Sequence, residues 1–244
     1  TFTDFPNGAV SGDITVSDAA GNTSTETVTF TPVSYAVFNS SDEFDLAYET
    51  FAAASGDAAA NETIKIAGLD ASGDFTLSGS DSINLDASLE TQNVTLTGND
   101  GANELTGGSG DDTLEGSAGN DALDGGDGTD TAAYASSAFS ISDAGDAWTI
   151  SASGDGTDTV TNVEKLTVGA DTHLLVGSGG YTTIQAAIDA ASGSETIHVA
   201  EGVYNEAIDI SKSIDLIGYG DVTIAPTGTE GVAVSISGTG DVRF

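Results

Sequence analysis

Between Gly98 and Ala133 the chain repeats every nine residues: GNDGANELT, GGSGDDTLE, GSAGNDALD and GGDGTDTAA follow one another without a gap. Nothing else in the sequence restricts the fold as tightly. Each unit fits G-G-x-G-x-D-x-U-x, where U is a large apolar residue. Position six holds Asn103, Asp112, Asp121 and Asp130, and position eight holds Leu105, Leu114, Leu123 and Ala132. Leu96 stands one unit before Leu105, so the apolar register starts ahead of the loops. One apolar residue per unit predicts one buried side chain on each short strand, with glycines supplying the positive φ angles of the turns between. The fold class this implies is mainly β: a parallel β-solenoid with short capping helices. A flexible Gly/Asp linker has no reason to keep leucine in register.

The loops also read as ion sites. Carbonyls and one carboxylate per turn converge where no side chain intervenes, which suits calcium and its six to eight oxygens at roughly 2.3–2.6 Å. In a flattened coil with two turns per rung, successive units alternate sides. The loop at 98–103 then stacks on 116–121, and 107–112 on 125–130. About two complete sites follow from the ligand number calcium needs. The candidate ligands are Asp112, Asp121 and Asp130, with neutral Asn103 at a weaker site and Asp100 and Asp127 from the third positions. The turn spacing recurs once more in Gly154, Gly156, Asp158 and Val160, which adds Asp155 and Asp158.

These residues resemble the repeats-in-toxin (RTX) family of secreted calcium-binding β-rolls. The resemblance implies type I secretion, folding on meeting external calcium, and an extracellular, cell-surface location. Composition agrees with it. The chain has 4 basic and 39 acidic residues, a formal charge of −35. Self-repulsion on that scale opposes compaction until cations neutralise it. It also argues against nucleic acid and anionic membrane surfaces as partners. With no cysteine in the chain, ions must do the stapling that disulfides do elsewhere. No apolar stretch is long enough to span a bilayer. The chain shows no signal peptide and does not begin with Met, which leads to the expectation of a fragment of a longer protein.

Around the repeats lie other modules. Ile14 and Val16, then Val28 and Phe30, alternate with polar residues across a turn at Asp18–Asn22. That is a hairpin pattern, and it resembles the last two strands of bacterial immunoglobulin-like domains. Phe44, Ala47, Tyr48 and Phe51 follow helical spacing after cap candidates Ser40 and Ser41; Ile184, Ala187, Ile188 and Ala191 do so after Thr182 and Thr183. Both passages run through Ala-Ser-Gly, at Ala54–Gly56 and Ala191–Gly193, into an alternating strand, at 61–68 and 194–202. This internal repeat predicts that each helix caps the open first rung of a solenoid. The stretch 181–224 resembles the start of a right-handed parallel β-helix of the pectin-lyase-like class. Its strands are expected near Ile197–Val199, Ala207–Ile210, Ile214–Ile217, Val222–Ile224 and Val232–Ile236; those of the first copy near Ile64–Ile66, Phe75–Leu77, Ile83–Leu85 and Val94–Leu96. Trp148 with Ile150 and Phe139 with Ile141 flank a turn at Asp143–Asp146 and predict a hairpin sealing the roll.

The expected organisation is therefore an immunoglobulin-like end at 1–33, helix-capped rungs at 34–97, the calcium roll at 98–133, a β cap at 134–176, and a second capped β-helix at 177–244. The functional expectation is a non-catalytic, calcium-stiffened segment of a large secreted surface protein (an adhesin, surface layer or matrix scaffold), with copies of itself or cell-surface polysaccharide as partners besides calcium. The alternative is the accessory part and first rungs of a polysaccharide lyase or epimerase. Such an enzyme must stabilise a developing anion, and Lys65, Lys165, Lys212 and Arg243 are the only cations, His173 and His198 the only imidazoles. His198 is expected to be a plain rung residue, and Asp209 and Asp215 outward-facing.

Overall fold

In the computed structural model, residues 51–66, 73–136 and 138–226 are described, except for a few side chains, together with the backbone of several flanking strands. The first two strands, β1 (Val10–Ser17) and β2 (Thr23–Phe30), form the antiparallel hairpin that the alternation predicts, with Val10 opposite Phe30 and Ser17 opposite Thr23. β3 (Ser34–Phe38) and β4 (Phe44–Tyr48) form a second antiparallel pair, followed by a short helix, α1 (Phe51–Asp57). The helix expected from Phe44 is thus corrected: only its final apolar position, Phe51, is helical. Phe44, Leu46 and Tyr48 also repeat with period two, and pairing with β3 lets that strand pattern win over the helical one. Ala54–Gly56 lies inside α1, whereas Ala191–Gly193 follows the second helix, so the two passages match less closely than the sequence suggests. Ser40 and Ser41 lie outside the described residues.

The coil itself is built from β5 (Thr63–Ala67), β6 (Gly73–Thr76), β7 (Asn84–Asp86), β8 (Val94–Thr97), β9 (Glu104–Thr106), β10 (Thr113–Glu115), β11 (Ala122–Asp124) and β12 (Thr131–Tyr134). Alternate strands fall into two facing parallel sheets. One runs β5-β7-β9-β11 and the other β6-β8-β10-β12. The register stacks the apolar positions into two columns. Ile64, Leu85, Leu105 and Leu123 make one, continued by Val160; Phe75, Leu96, Leu114 and Ala132 make the other, continued by Leu166. All are buried. Each leucine so buried contributes about 1.5–3 kcal/mol, and the repeat supplies one per turn.

After the repeats the topology changes. β13 (Phe139–Asp143) and β14 (Trp148–Ala152) form the predicted antiparallel hairpin, and β14 pairs antiparallel with β15 (Gly156–Thr161), which stacks parallel on β11. β16 (Lys165–Val168) stacks parallel on β12, and β17 (Asp171–Val176) then turns back antiparallel to it. Helix α2 (Ile184–Ala190) leads into β18 (Thr196–Val199), β19 (Gly202–Tyr204), β20 (Ile208–Ile210), β21 (Ile214–Gly218), β22 (Val222–Ile224), β23 (Val234–Ile236) and β24 (Val242–Arg243). The pairs β18–β21, β19–β22 and β20–β23 are parallel and make a second coil. α2 begins at an N-cap, Thr183, whose hydroxyl accepts from the Ala186 N–H, and buries Ile184, Ala187 and Ile188 in that coil's core.

One sheet runs through both coils, from β6 to β24. Its core changes face at β17: Leu175 joins the first core, while Leu174 and Val176 join the second. The β13–β14 hairpin packs against the second coil and the turn that leads into it. Trp148 is fully buried, its ring packs edge-on against Tyr219, and its Nε1–H donates to the Gly177 carbonyl at 3.3 Å. Asp143 accepts from the Ser178 hydroxyl and the Glu201 N–H. The two histidines meet in this seam, His173 Nδ1 lying 3.1 Å from His198 Nε2, and His198 Nδ1 lying 2.9 Å from the Tyr219 hydroxyl. Burial lowers both imidazoles, His198 to about 4. They are neutral packing groups at physiological pH.

Candidate metal centre

Each position-six carboxylate caps the rung before it. Asp121 Oδ1 accepts the Asn103 N–H at 2.8 Å, and Asp130 Oδ1 accepts the Asp112 N–H at 2.7 Å. Asp112 does the same for the Val94 N–H at 2.8 Å. These bonds stack 98–103 on 116–121 and 107–112 on 125–130, in the pairing that the sequence predicts. Both ladders continue past the repeats. Asp158 Oδ1 accepts the Asp121 N–H at 2.8 Å across 37 residues, and Val160 stacks on Leu123. On the other side Glu164 Oε2 accepts the Asp130 N–H at 2.8 Å across 34 residues. Sequence reasoning missed Glu164 because its turn is shortened and glycine-free. The signal was nonetheless present: Glu164-Lys165-Leu166 repeats the acid-x-apolar triplet of Asp112-Thr113-Leu114.

The second oxygen of each carboxylate separates the lower loops from the upper ones. In the lower loops it is satisfied within the turn: Asp112 Oδ2 accepts from the Gly108 N–H, and Asn103 Oδ1 accepts from the Asn99 N–H while its amide donates to the Ile83 carbonyl. In the upper loops Oδ2 of Asp121 and Asp130 is buried with no partner, as is Oδ2 of Asp155, while the carboxylate of Asp158 has the Tyr134 hydroxyl as a side-chain hydrogen-bond partner. An ionised oxygen buried without a partner is costly, and a cation is the compensation its charge calls for. Burial pushes Asp121 and Asp130 up to about 7, and neighbouring carboxylates push further against the backbone N–H groups that hold them. Asp112, Asp158 and Glu164 are raised for the same first reason, desolvation.

The glycines leave room for an ion. A Cβ on Gly125 would collide with the Asn162 carbonyl oxygen and stand 2.6 Å from Asp130 Oδ2; on Gly107 it would collide with the Gly125 carbonyl and stand 2.5 Å from Asp112 Oδ2. Main-chain and carboxylate oxygens thus face one small space that only glycine keeps open. Among the described residues no three acidic or imidazole side chains come together closely enough to hold an ion alone. Main-chain carbonyls must therefore complete the shell, as calcium's oxygen chemistry permits. Of the predicted ligands, Asn103, Asp112, Asp121, Asp130 and Asp158 stand in the ladders and Asp155 lies beside one of them; Asp100 and Asp127 are exposed at loop tips. Among the described residues no helix is long and apolar enough to cross a membrane.

Comparison with known families agrees with this geometry. Residues 97–132 match the model of the RTX calcium-binding nonapeptide repeat, in four copies. No curated protein and no solved structure matches the chain.

Proposed function

We propose that this chain, an RTX calcium-binding β-solenoid protein, is a calcium-hardened structural segment of a large secreted surface protein, of the adhesin, surface-layer or matrix kind. The calcium-binding role rests on the repeats themselves. The observation that carries the structural reading is the pair of partnerless buried oxygens on Asp121 and Asp130, each on a carboxylate that also caps the backbone of a neighbouring rung.

Asp121, Asp130 and Asp158 would hold the ions, together with main-chain oxygens such as that of Asn162. Bound calcium supplies positive charge that offsets the buried carboxylates and cross-links successive turns. The chain's own part is to stack the rungs, exclude water from the leucine columns, and aim the oxygens. Calcium at a hundredfold its dissociation constant adds about 2.7 kcal/mol per site, against a total formal charge of −35. Without the ion the like charges oppose the coil, which suits export unfolded and folding outside the cell. The five modules expected from the sequence fit a segment of a serial scaffold, and copies of itself or surface polysaccharide are the partners proposed for it.

Far-UV circular dichroism in calcium and in excess chelator tests this. The β signal should fall on chelation and return on adding calcium. A signal indifferent to calcium sinks the proposal.

A further inference from the structure

The two facing sheets do not end together. One stops at β13, while the other runs on from β17 through β18, β21 and β24. β13 lies over the start of that overhang. The Phe139 ring meets the His173 ring of β17 edge-on at 5.0 Å, and Asp143 accepts the Glu201 N–H just past β18. Leu175, His198 and Ile217 stand in register on β17, β18 and β21, so all three face the same way. Leu175 and His198 are buried, whereas Ile217 is 42 % exposed. The sheet that covers the first two has ended before it reaches the third.

A second observation comes from β13 itself. Among the described strands it pairs with β14 alone, so one side of its backbone is a sheet edge. Such an edge presents unpaired N–H and C=O groups, and proteins guard it with a lysine, a proline or a bulge. Phe139-Ser140-Ile141-Ser142-Asp143 contains no lysine and no proline, and its register with β14 is unbroken. Phe139 and Ile141 pack towards the first core yet stay only partly buried. An unguarded edge and an apolar ledge therefore meet at one step. A whole second copy does not fit there. Antiparallel edge-to-edge pairing puts both overhangs on the same side of the joined sheet, where the copy's β21 and β24 would collide with those already present. Charge indicates what does fit. Asp143 and Glu201 adjoin at one end of the step, and Asp146 is exposed in the turn beyond β13. The chain as a whole carries 39 acidic residues against 4 basic ones.

We propose that β13 accepts an extended, basic segment of a partner protein as an added strand. Its apolar residues, at alternate positions, cover Ile141 and Ile217, and lysine or arginine stands between and beyond them. Main-chain hydrogen bonds give such a strand its affinity, and the contacts of alternate side chains give it specificity. The acidic surroundings favour a basic segment and speed its arrival. This surface stands apart from the calcium sites and does not depend on how they are filled.

The test is fluorescence anisotropy of a labelled peptide of about seven residues, alternating valine and lysine, titrated with the full chain in saturating calcium. The wild type should bind it about tenfold or more tighter than a peptide of the same composition with its valines and lysines in two blocks, which keeps the charge and loses the alternation. Ile217→Lys sets a cation on the ledge and should weaken binding about tenfold. Val203→Lys makes the same charge change at an exposed residue of β19 and should leave binding unchanged. If Ile217→Lys does not fold, the comparison of the two peptides on the wild type decides. Equal affinity for the two peptides, equal losses in the two variants, or no binding of either peptide overturns the site. Dimers of the chain alone in sedimentation that disappear in Ile217→Lys would assign the step to a second copy, and overturn it as well.

Discussion

Asp130→Asn should change sign with calcium. The carboxylate is fully buried; one oxygen holds the Asp112 N–H and the other has no partner. Burial first, then repulsion from Asp112 and Glu164, pushes its pKa from 3.8 to about 7. Three units at 1.36 kcal/mol each make ionised Asp130 a liability of about 4 kcal/mol above pH 8 when no cation is present. Asparagine keeps the acceptor for Asp112 and loses the charge. Its amide, buried without a partner of its own, costs about 1–3 kcal/mol in return. The net expectation in chelator at pH 8.5 is stabilisation by about 1–3 kcal/mol. In calcium the same change removes a ligand, and a site saturated a hundredfold is worth about 2.7 kcal/mol, so the variant should be the less stable protein. Urea titrations followed by far-UV circular dichroism, with and without calcium, measure both. A destabilisation of equal size under the two conditions would refute the claim that Asp130 is a buried charge waiting for a cation.

Calcium-free protein should gain β signal on acidification. Asp121 and Asp130 have folded pKa values near 7, above the unfolded 3.8, so their protonation favours the fold. Their contribution is complete below about 3.8 and is lost as pH rises through 7. A circular dichroism titration in chelator that loses β signal between pH 8 and pH 5 contradicts this. Leu114→Ala empties a fully buried position between Leu96 and Ala132 and should cost about 2–5 kcal/mol, read as a lower urea midpoint in saturating calcium. Gly125→Ala places a methyl group against the Asn162 carbonyl and Asp130; titration calorimetry should show one site fewer, with the opposite ladder unaffected.

The nine-residue count made the coil legible, since leucine spacing and glycine placement specify rung, turn and ion site together. Stacking partners followed from counting two units per rung. Two features escaped it. β4 was hidden because Phe44–Tyr48 satisfies a helical and a strand period at once, and the choice is made by pairing with β3, a contact distant from the local pattern. Glu164 was hidden because its turn is shorter than the repeat. A glutamate is one methylene longer than the aspartate it replaces, and from that abbreviated turn it still reaches the Asp130 N–H.

The change of core face at β17 had a sequence signal of a different sort. His173-Leu174-Leu175-Val176 contains three large apolar residues in succession, all of them buried. A strand reads that way when both of its faces are covered. Leu175 turns towards the first coil and its neighbours towards the second, so β17 belongs to two cores at once. Its backbone is hydrogen-bonded to β16, and β16 stacks on β12, the strand of the last repeat. A rung ordered by calcium is therefore joined to the second coil through a continuous run of main-chain hydrogen bonds. That is the connection a stiff, serial scaffold requires, and one that a flexible tether between the coils would lack.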